Sequence, residues 1–268
     1  MKEAWSKFNT ELPPVLHAEL QEEIAILSLT RSEKRNAINT AMLQGIKLFF
    51  SNLNDEVKAA VIVGEGNNFS AGLDLSELAK MDAAEGALHS RMWHDAFHYV
   101  QYAPVPVVSV LCGAVIGAGL ELASSTHIRV AEPSVFYGLP EGQRGIFLGG
   151  GGSMRLTRLL GVSRVTDLMM TGRTLNAQDG YNFGFSQYLV GAGEGLAKGV
   201  EIAKRAGSNS RLSNFAIIQA LPRIAEMGPE EGLFAEALMT GVVQSSQDAK
   251  TRLSAFLQKR AAKVTRPA

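Results

Sequence analysis

Residues 105–123 read VPVVSVLCGAVIGAGLELA, and this stretch decides which class of fold the chain adopts. Val107–Leu111 is a short apolar run rich in β-branched residues, which is typical of a strand buried in a sheet. Gly117 and Gly119 then indicate a tight turn, and Leu120–Ser125 follows as a short helix. A buried strand that leads through glycines into a helix is typical of an α/β protein.

Strands and helices alternate on both sides of this stretch. Apolar runs predict three further strands, at Ile24–Leu29, Val57–Val63 and Ile128–Ala131. Asn39 is a plausible N-cap for the helical pattern that follows it, and a longer helix is predicted at about 84–102, before two prolines. This alternation of short strands and helices predicts an α/β core.

The second half of the chain is mostly helical. Helical patterns begin near Met154, and the C-terminal residues read as helices broken at Pro222 and at Gly228-Pro229. We therefore predict two domains, an α/β core at 1–198 and a helical region at 199–268.

Two glutamates lie in glycine-containing frames. Glu121 follows Gly117 and Gly119 and has leucines on both sides, and Glu141 ends the run FYGLPE and precedes the glycine run 149–152. Burial of a carboxylate is costly unless it is paired or neutralised. The carboxylate of Glu121 is therefore either solvated at a cleft or retained for chemistry. Two acids in different surroundings can differ in proton affinity, as general acid and base roles require.

Composition and charge exclude several classes of partner. The formal net charge is +0, so nothing indicates a nucleic-acid surface or an anionic membrane. Cys112 is the only cysteine, which fits a reducing compartment and a cytoplasmic location. The start of the chain, 1–6, lacks the apolar core of a signal peptide. The longest apolar stretch, Val105–Ala118, is too short and too interrupted to span a membrane.

Five motifs, taken in order, resemble those of the crotonase superfamily, the enoyl-CoA hydratases and isomerases. They are KRNAIN at 34–39, FSAGLDL at 69–75, the stretch 106–123, YGLPE with GGGGSMRL at 137–156, and FLQKR at 256–260. The similarity runs from about residue 20 to about residue 260. Any one of these motifs is a weak signal, but their common order and spacing are specific. The chain departs from the family at Ala118, where glycine is usual, at His127, where aspartate is common, and at Leu148, where proline is common.

The resemblance implies a crotonase-like spiral of ββα units followed by a C-terminal all-helical trimerisation region. It also implies an acyl-CoA substrate, with coenzyme A as part of that substrate, and neither a metal nor a separate cofactor. The expected assembly is a trimer, commonly paired into a hexamer as a dimer of trimers. The branch of the family that hydrates enoyl-CoA thioesters retains both glutamates, as this chain does.

The resemblance further implies a site in which Glu121 and Glu141 hold one water between them. By analogy Glu121 activates the water and Glu141 protonates C2 of the substrate, although the residues alone leave these two roles open. The backbone N–H groups of Ala71 and Ala118 are expected to form the oxyanion hole for the thioester oxygen. Substrate and CoA contacts are expected at Arg35, Ala37, Ser70, Gly72, Leu73, Asp74, Leu75, Gly117 and Lys259. Bulky apolar residues expected around a short acyl group are Phe69, Leu73, Leu78, Trp93, Phe136, Phe147 and Leu148.

Other interpretations compete with this one. A thioesterase could use the same oxyanion hole, and a non-catalytic CoA-binding role is disfavoured because both glutamates are retained. The glycines at 117 and 119 weakly resemble a dinucleotide fingerprint, which would leave the other motifs unexplained. His94 and His98 share a helical face, as in a zinc helix, but no third ligand is evident. His127 is more simply a packed, hydrogen-bonded residue.

Overall fold

The computed structural model describes residues 11–77 and 81–260 and contains two compact units. The first unit is Met1–Ala206 and the second is Gly207–Ala268. The sequence placed the boundary between 198 and 199, which falls inside a continuous helix, Gly195–Gly207. The two units divide between Ala206 and Gly207, the last residue of that helix.

The first unit alternates strands and helices, as the sequence predicts. Its strands are β1 (Leu16–Gln21), β2 (Ile24–Leu29), β3 (Ala59–Gly64), β4 (Val107–Leu111), β5 (Ala114–Ile116), β6 (Ile128–Ala131), β7 (Phe136–Gly138), β8 (Thr174–Asn176) and β9 (Tyr188–Leu189). Its α-helices are α1 (Thr40–Ser51), α2 (Ala83–Gln101), α3 (Ala118–Ser125), α4 (Gly152–Leu160), α5 (Val162–Thr171), α6 (Ala177–Asn182) and α7 (Gly195–Gly207). Short 3₁₀ turns lie at Ser32–Lys34, Leu75–Glu77 and Gly142–Arg144.

The strands form two sheets. The larger has the order β1-β2-β3-β4-β6-β9, with β1 antiparallel to β2 and the other neighbours parallel. The smaller has the order β5-β7-β8, in which β5 and β7 are parallel and β8 is antiparallel to β7. Parallel strands need crossover connections, and the helices between the strands supply them.

The inner strands of the larger sheet, β2, β3, β4 and β6, are buried on both faces. Along β2, Ala25, Leu27 and Leu29 join the core that contains α1 and α2, whereas Ile24 and Ile26 join a second core with α7. A strand covered on both faces reads as a nearly continuous apolar run, which is why the sequence identifies β2 so clearly.

The strands predicted at Ile24–Leu29, Val107–Leu111 and Ile128–Ala131 are confirmed at those bounds. Asn39 is also confirmed as the N-cap of α1, because its side chain accepts a hydrogen bond from Met42 N. Strand β1 was missed. Its exposed positions, His17 and Glu19, interrupt the apolar pattern, since β1 is an edge strand with one face in solvent.

The second unit is helical in the part of the chain that the structure describes. Its α-helices are α8 (Arg211–Phe215), α9 (Leu221–Ile224), α10 (Pro229–Ser245) and α11 (Gln247–Leu257). A π-helical segment, Ala216–Ala220, joins α8 to α9. The predicted break at Pro222 is therefore wrong, because the wider π turn precedes the residue that lacks a backbone N–H. The break at Gly228-Pro229 is confirmed.

Many apolar side chains of the second unit remain exposed. They include Phe215, Leu221, Leu233, Phe234 and Leu238, whereas Ile218 is buried. Among the described residues, none of the helices combines the length and the hydropathy that a membrane crossing needs.

Candidate active site

The pairing of β5 with β7 brings the two glutamates to the same edge of the smaller sheet. Ile116 lies opposite Gly138 in the parallel register, and Gly117 N donates to Gly138 O at 2.9 Å. The chain continues from these partners to Glu121 in the first turn of α3 and to Glu141 just before a 3₁₀ turn. Residues that follow the carboxyl ends of paired parallel strands lie close together, and both glutamates line the same pocket.

Backbone donors hold the carboxylate of Glu121. Gly150 N and Gly152 N each donate to Glu121 Oε1 at 2.8 Å. Burial raises the pKa of Glu121, while these two hydrogen bonds and the Arg155 charge act in the opposite direction. Oε2 of Glu121 accepts no hydrogen bond from the described residues. The site thus fixes one oxygen of a buried carboxylate and leaves the other available to the pocket.

Glu141 has a different environment. Its Oε2 is the one buried side-chain nitrogen or oxygen without a hydrogen-bond partner among the described residues. The pKa of Glu141 is raised to about 7, chiefly by burial and also by the charge of Glu121, while its own backbone N–H and Arg144 act in the opposite direction. A carboxyl group with that pKa holds a proton in a large part of its population near neutral pH, so it is suited to act as a general acid.

Gly117 is required at this point for two reasons. Its φ is +51°, a conformation that residues with a Cβ rarely adopt. A Cβ at Gly117 would also lie 2.6 Å from Glu141 Oε1, so the glycine makes room for that carboxylate. The glycine frame in the sequence therefore reflects the position of the second glutamate as well as the turn.

Residues 69–74 form a strip that bonds to chain segments on both sides. Phe69 N donates to Cys112 O at 2.8 Å, and Ser70 N donates to Ala114 O at 2.9 Å. On the other side, Ala71 N donates to Arg35 O at 2.9 Å. The prediction that Ala71 supplies an oxyanion-hole donor is therefore wrong, because its N–H already has a backbone acceptor.

The free N–H on this strip belongs to Leu73 rather than to Ala71. The neighbours of Leu73 are bonded to the 36–38 segment: Ile38 N donates to Gly72 O at 2.7 Å, and Asp74 N donates to Ile38 O at 2.9 Å. Leu73 N donates to no residue that the structure describes, and Leu73 lines the pocket. Leu73 therefore presents a free amide at the pocket, and free amides of this kind can stabilise a developing oxyanion.

Ala118 supplies the other amide. It is the first residue of α3, so its N–H lies among the N-terminal donors that have no acceptor within the helix. It donates to none of the described residues, and Ala118 also lines the pocket. The positive end of the α3 dipole adds to the stabilisation of negative charge at this point.

The pocket has a volume of about 350 Å³. It is lined by Gly72, Leu73, Leu75, Gly86, His89, Ser90, Trp93, Gly117, Ala118, Glu121, Glu141, Arg144, Ile146, Phe147, Leu148, Gly149 and Gly150. Of the apolar residues predicted around the acyl group, Leu73, Trp93, Phe147 and Leu148 line it. Phe69 is instead buried in the core, Phe136 is partly exposed on β7, and Leu78 lies outside the described residues.

Several residues predicted to contact substrate or CoA have structural partners instead. Ser70 is buried, and its Oγ donates to Asn36 O at 2.8 Å. Asp74 forms an ion pair with Arg31, whose guanidinium also donates to Ala37 O. Ser70, Asp74 and Ala37 therefore stabilise the loop that shapes the pocket rather than lining it.

The remaining predicted contacts are exposed. Arg35 has an exposed side chain and a left-handed backbone, and Lys259 is exposed in the second unit. Gly72, Leu75 and Gly117 line the pocket as predicted.

Three residues that act on the site, Gly150, Gly152 and Arg155, were not predicted to do so from the sequence. Gly150 and Gly152 act through their N–H groups on Glu121, whereas the sequence indicated only that the glycine run shapes a pocket wall. Arg155 is buried, and it donates to Gly150 O at 2.8 Å and to Gln101 Oε1 at 2.7 Å. Its position in the motif GGGGSMRL was a signal, but the sequence does not show that this arginine points back toward its own loop.

The histidine alternatives have ordinary explanations. His127 Nδ1 accepts from Val107 N at 2.8 Å and its Nε2 donates to Gln101 O at 3.0 Å, which confirms it as a packed residue. Burial lowers the pKa of His127 to about 4. Across residues 11–77 and 81–260, no group of three or more metal-ligating side chains is present.

Comparison with known proteins agrees with this fold. A model of the enoyl-CoA hydratase/isomerase family matches residues 19–266, so the chain belongs to that family. The crotonase-like α/β fold with C-terminal helices is thereby confirmed. A crystal structure of a protein from Rhodopseudomonas palustris CGA009, provisionally assigned as an enoyl-CoA hydratase, is 50% identical, with a TM-score of 0.89 over 92% of this chain and 95% of that one.

Two named relatives are similar over nearly their whole length. The short-chain-enoyl-CoA hydratase of Clostridium acetobutylicum is 29% identical over 90% of this chain and 94% of its own. The 2,3-dehydroadipyl-CoA hydratase of Escherichia coli K12 is 30% identical over the same shares, 90% and 94%.

Proposed function

We propose that the protein hydrates short α,β-unsaturated acyl-CoA thioesters. The observation that carries this proposal is the pair of glutamates with unlike surroundings, Glu121 and Glu141, which line one pocket beside two free backbone amides. The names of the relatives, which include a short-chain-enoyl-CoA hydratase and a crotonyl-CoA hydratase, support the same reaction. The proposal assigns no metal and no cofactor other than the CoA of the substrate.

In the proposed mechanism Glu121 removes a proton from water as the water oxygen bonds to C3. The electron pair of the double bond moves toward the thioester, whose oxygen becomes an enolate held by the N–H groups of Leu73 and Ala118. Each such donor is typically worth roughly 3 kcal/mol in the transition state. Glu141 gives its proton to C2, which completes the addition of one water. Glu121 then releases its proton to solvent, and Glu141 takes up a proton from solvent.

The finer proposal concerns the acyl group. The sequence resembles the methylthioacryloyl-CoA hydratase of dimethylsulfoniopropionate breakdown, and we extend the proposal to that substrate. Leu73, Trp93, Phe147 and Leu148 surround a small volume that favours acyl groups of about three to six carbons, since longer chains need a channel to bury each methylene. A thioether sulfur is close to a methylene in size and is compatible with apolar walls. Hydration at C3 would give a hemithioacetal, which breaks its C–S bond to release methanethiol and leave an aldehyde.

Thioester hydrolysis is a second candidate on the same site. The unpartnered Glu141 Oε2 favours it, because a carboxylate oxygen beside two amide donors can attack a thioester carbonyl or activate water on it. Release of free CoA would follow from cleavage of the C–S bond, and the same amides would stabilise the tetrahedral intermediate.

Hydration and thioester hydrolysis are distinguished by their products, with liquid chromatography for the CoA compounds and gas chromatography for methanethiol. The purified protein is incubated with crotonyl-, pent-2-enoyl-, dec-2-enoyl- and methylthioacryloyl-CoA, and 3-hydroxyacyl-CoA, free CoA and headspace methanethiol are quantified separately. We expect hydration of the short substrates and methanethiol from the last one. Hydration rates that rise steadily with acyl length up to ten carbons, with no methanethiol released, would contradict the proposal of a short or methylthio acyl group. They would leave the proposal of a general enoyl-CoA hydratase in place. Absence of any hydrated product would contradict the hydratase proposal itself.

The assembly is also a proposal. Exposed apolar side chains of the second unit, such as Leu233, Phe234 and Leu238, support self-association as a trimer or a hexamer. A small helical unit cannot bury all of these groups on itself. Light scattering over a range of concentrations tests this, and a stable, active monomer would contradict it. The cytoplasmic location stays a prediction from the sequence.

A further inference from the structure

Helix α2 separates the pocket of the two glutamates from a second, open groove of about 850 Å³. Its pocket side carries Gly86, His89, Ser90 and Trp93, at the spacing of one helical face. The groove is lined by Thr40, Met81, Glu85, Leu88, His89, Arg91, Met92 and Asp95. His89 is the residue common to both, so it forms the wall between them.

The ring of His89 is held in one tautomer. Trp93 Nε1 donates to His89 Nε2 at 3.3 Å. Because an indole nitrogen can only donate, His89 Nε2 must accept and carries no proton. The proton of the neutral imidazole therefore lies on Nδ1, which makes Nδ1 a hydrogen-bond donor. The edge-to-face packing of the two rings, with centroids 5.9 Å apart, keeps the imidazole in this orientation.

This Nδ1 donor has no acceptor among the described residues. It is not sealed in the core either, because Glu141 Oε2 is the one fully buried side-chain nitrogen or oxygen in those residues that lacks a partner. Nδ1 is therefore accessible from the space that His89 lines. The other polar side chain on this face, Ser90, already donates to Gly149 O at 2.7 Å.

We propose that His89 is a specificity-determining residue, whose Nδ1–H donates to an acceptor atom on the far part of the acyl group. This inference rests on the proposed hydratase function. The favoured substrates are short enoyl-CoA thioesters with an ether, hydroxyl, carbonyl or thioether group beyond the double bond. A pocket that presents a donor discriminates against purely alkyl chains, because such a chain would cover the N–H and leave it unpaired.

The test compares two substrates that differ by one atom, 4-methoxybut-2-enoyl-CoA and hex-2-enoyl-CoA. The ether oxygen replaces a methylene of nearly the same size, and the ratio of the two kcat/KM values is measured for each variant. His89→Phe keeps a ring of similar volume and removes the donor, and His89→Leu provides a second variant without one. His89→Gln keeps both an acceptor for Trp93 and a donor for the ligand. His98→Phe is the matched control, since His98 is exposed on the same helix and lines neither cavity.

We expect the ether-to-alkyl ratio to fall about tenfold in His89→Phe, the effect of one neutral hydrogen bond, chiefly through loss on the ether substrate. His98→Phe should leave the ratio unchanged, and His89→Gln should lose less than His89→Phe. Thermal melting identifies the variants that fold, and the ratio is read from those.

A ratio within twofold of the wild-type value in a folded variant without the donor would overturn the assignment to His89. An equal loss in His89→Gln and His89→Phe would also overturn it, because ring shape rather than the donor would then decide. If the wild-type protein hydrates neither substrate, the proposed function has failed, which this experiment distinguishes from a failure of the His89 assignment.

Discussion

Glu121 and Glu141 line the same pocket, but their carboxyl groups meet different surroundings. Glu121 receives two backbone N–H groups on one oxygen, and the charge of Arg155 is nearby. Glu141 has a buried oxygen without a partner, and its pKa is raised to about 7. Burial raises the pKa of both carboxyl groups, but the two glycine N–H groups and the Arg155 charge act against that rise at Glu121. This difference supports the proposal in which Glu121 is the base and Glu141 is the acid.

The largest expected effect is on turnover when either acid loses its ability to exchange a proton. Glu121→Gln and Glu141→Gln should each lower kcat by about a hundredfold or more, the contribution typical of a general acid or base. Steady-state hydration of crotonyl-CoA measures this, and circular dichroism verifies that the nearly isosteric variants fold. A variant that keeps more than about a tenth of the wild-type rate would contradict the two-acid mechanism.

The next prediction concerns stability and the raised pKa of Glu141. A carboxyl group whose pKa is higher in the folded state stabilises the fold below its unfolded pKa and loses that contribution as the pH rises through the folded value. A shift from 4.5 to about 7 corresponds to roughly 3 kcal/mol at most. Glu141→Gln should therefore raise the free energy of unfolding at pH 8 but not at pH 4.

Chemical denaturation at the two pH values measures this difference. In Glu121→Gln the increase in the free energy of unfolding at pH 8 should be smaller than in Glu141→Gln. The Glu121→Gln variant also loses the charged hydrogen bonds from Gly150 and Gly152. Equal gains in the two variants would remove the distinction drawn between the two carboxylates.

A third prediction tests the close approach between Gly117 and Glu141. Gly117→Ala places a methyl carbon 2.6 Å from Glu141 Oε1 and should lower kcat by roughly tenfold to a hundredfold, since small displacements of catalytic groups are costly. Gly184→Ala is the control, because Gly184 also has a positive φ, +81°, but has no atom within 4 Å of the added Cβ. Both variants carry the backbone strain. If both lower kcat equally, strain rather than the position of Glu141 is responsible.

The smallest effect is expected at Arg155, which acts on Glu121 from behind the glycine loop. Loss of its charge should raise the pKa of Glu121, because Arg155 opposes the effect of burial. The acid limb of the kcat/KM profile should then move to higher pH in Arg155→Gln. Arg155→Lys keeps the charge and should move it less. A rate loss that is uniform across pH would assign Arg155 a purely structural role.

The sequence predicted much of the scaffold because the signals are local. The runs that became β2, β4 and β6 are buried on both faces, so their apolar character does not depend on register. Asn39 was identified as a cap from its neighbours alone. β1 and the continuation of the helix through Pro222 were missed, because an edge strand and a π turn depend on what surrounds them.

The sequence by itself determined the two glutamates, the glycine frames around them and the α/β class, since each is a pattern within a few consecutive residues. Only the tertiary structure decided which amides are free. Ala71 and Leu73 are two residues apart on one strip. The carbonyl of Arg35 accepts a hydrogen bond from the N–H of Ala71, whereas the N–H of Leu73 has no acceptor among the described residues. The structure also decided which N–H groups donate to Glu121 and which nitrogen of His89 carries the proton. A hydrogen-bonding group is available to a ligand only when no distant part of the chain has already bonded to it, and that depends on the packing of the whole unit.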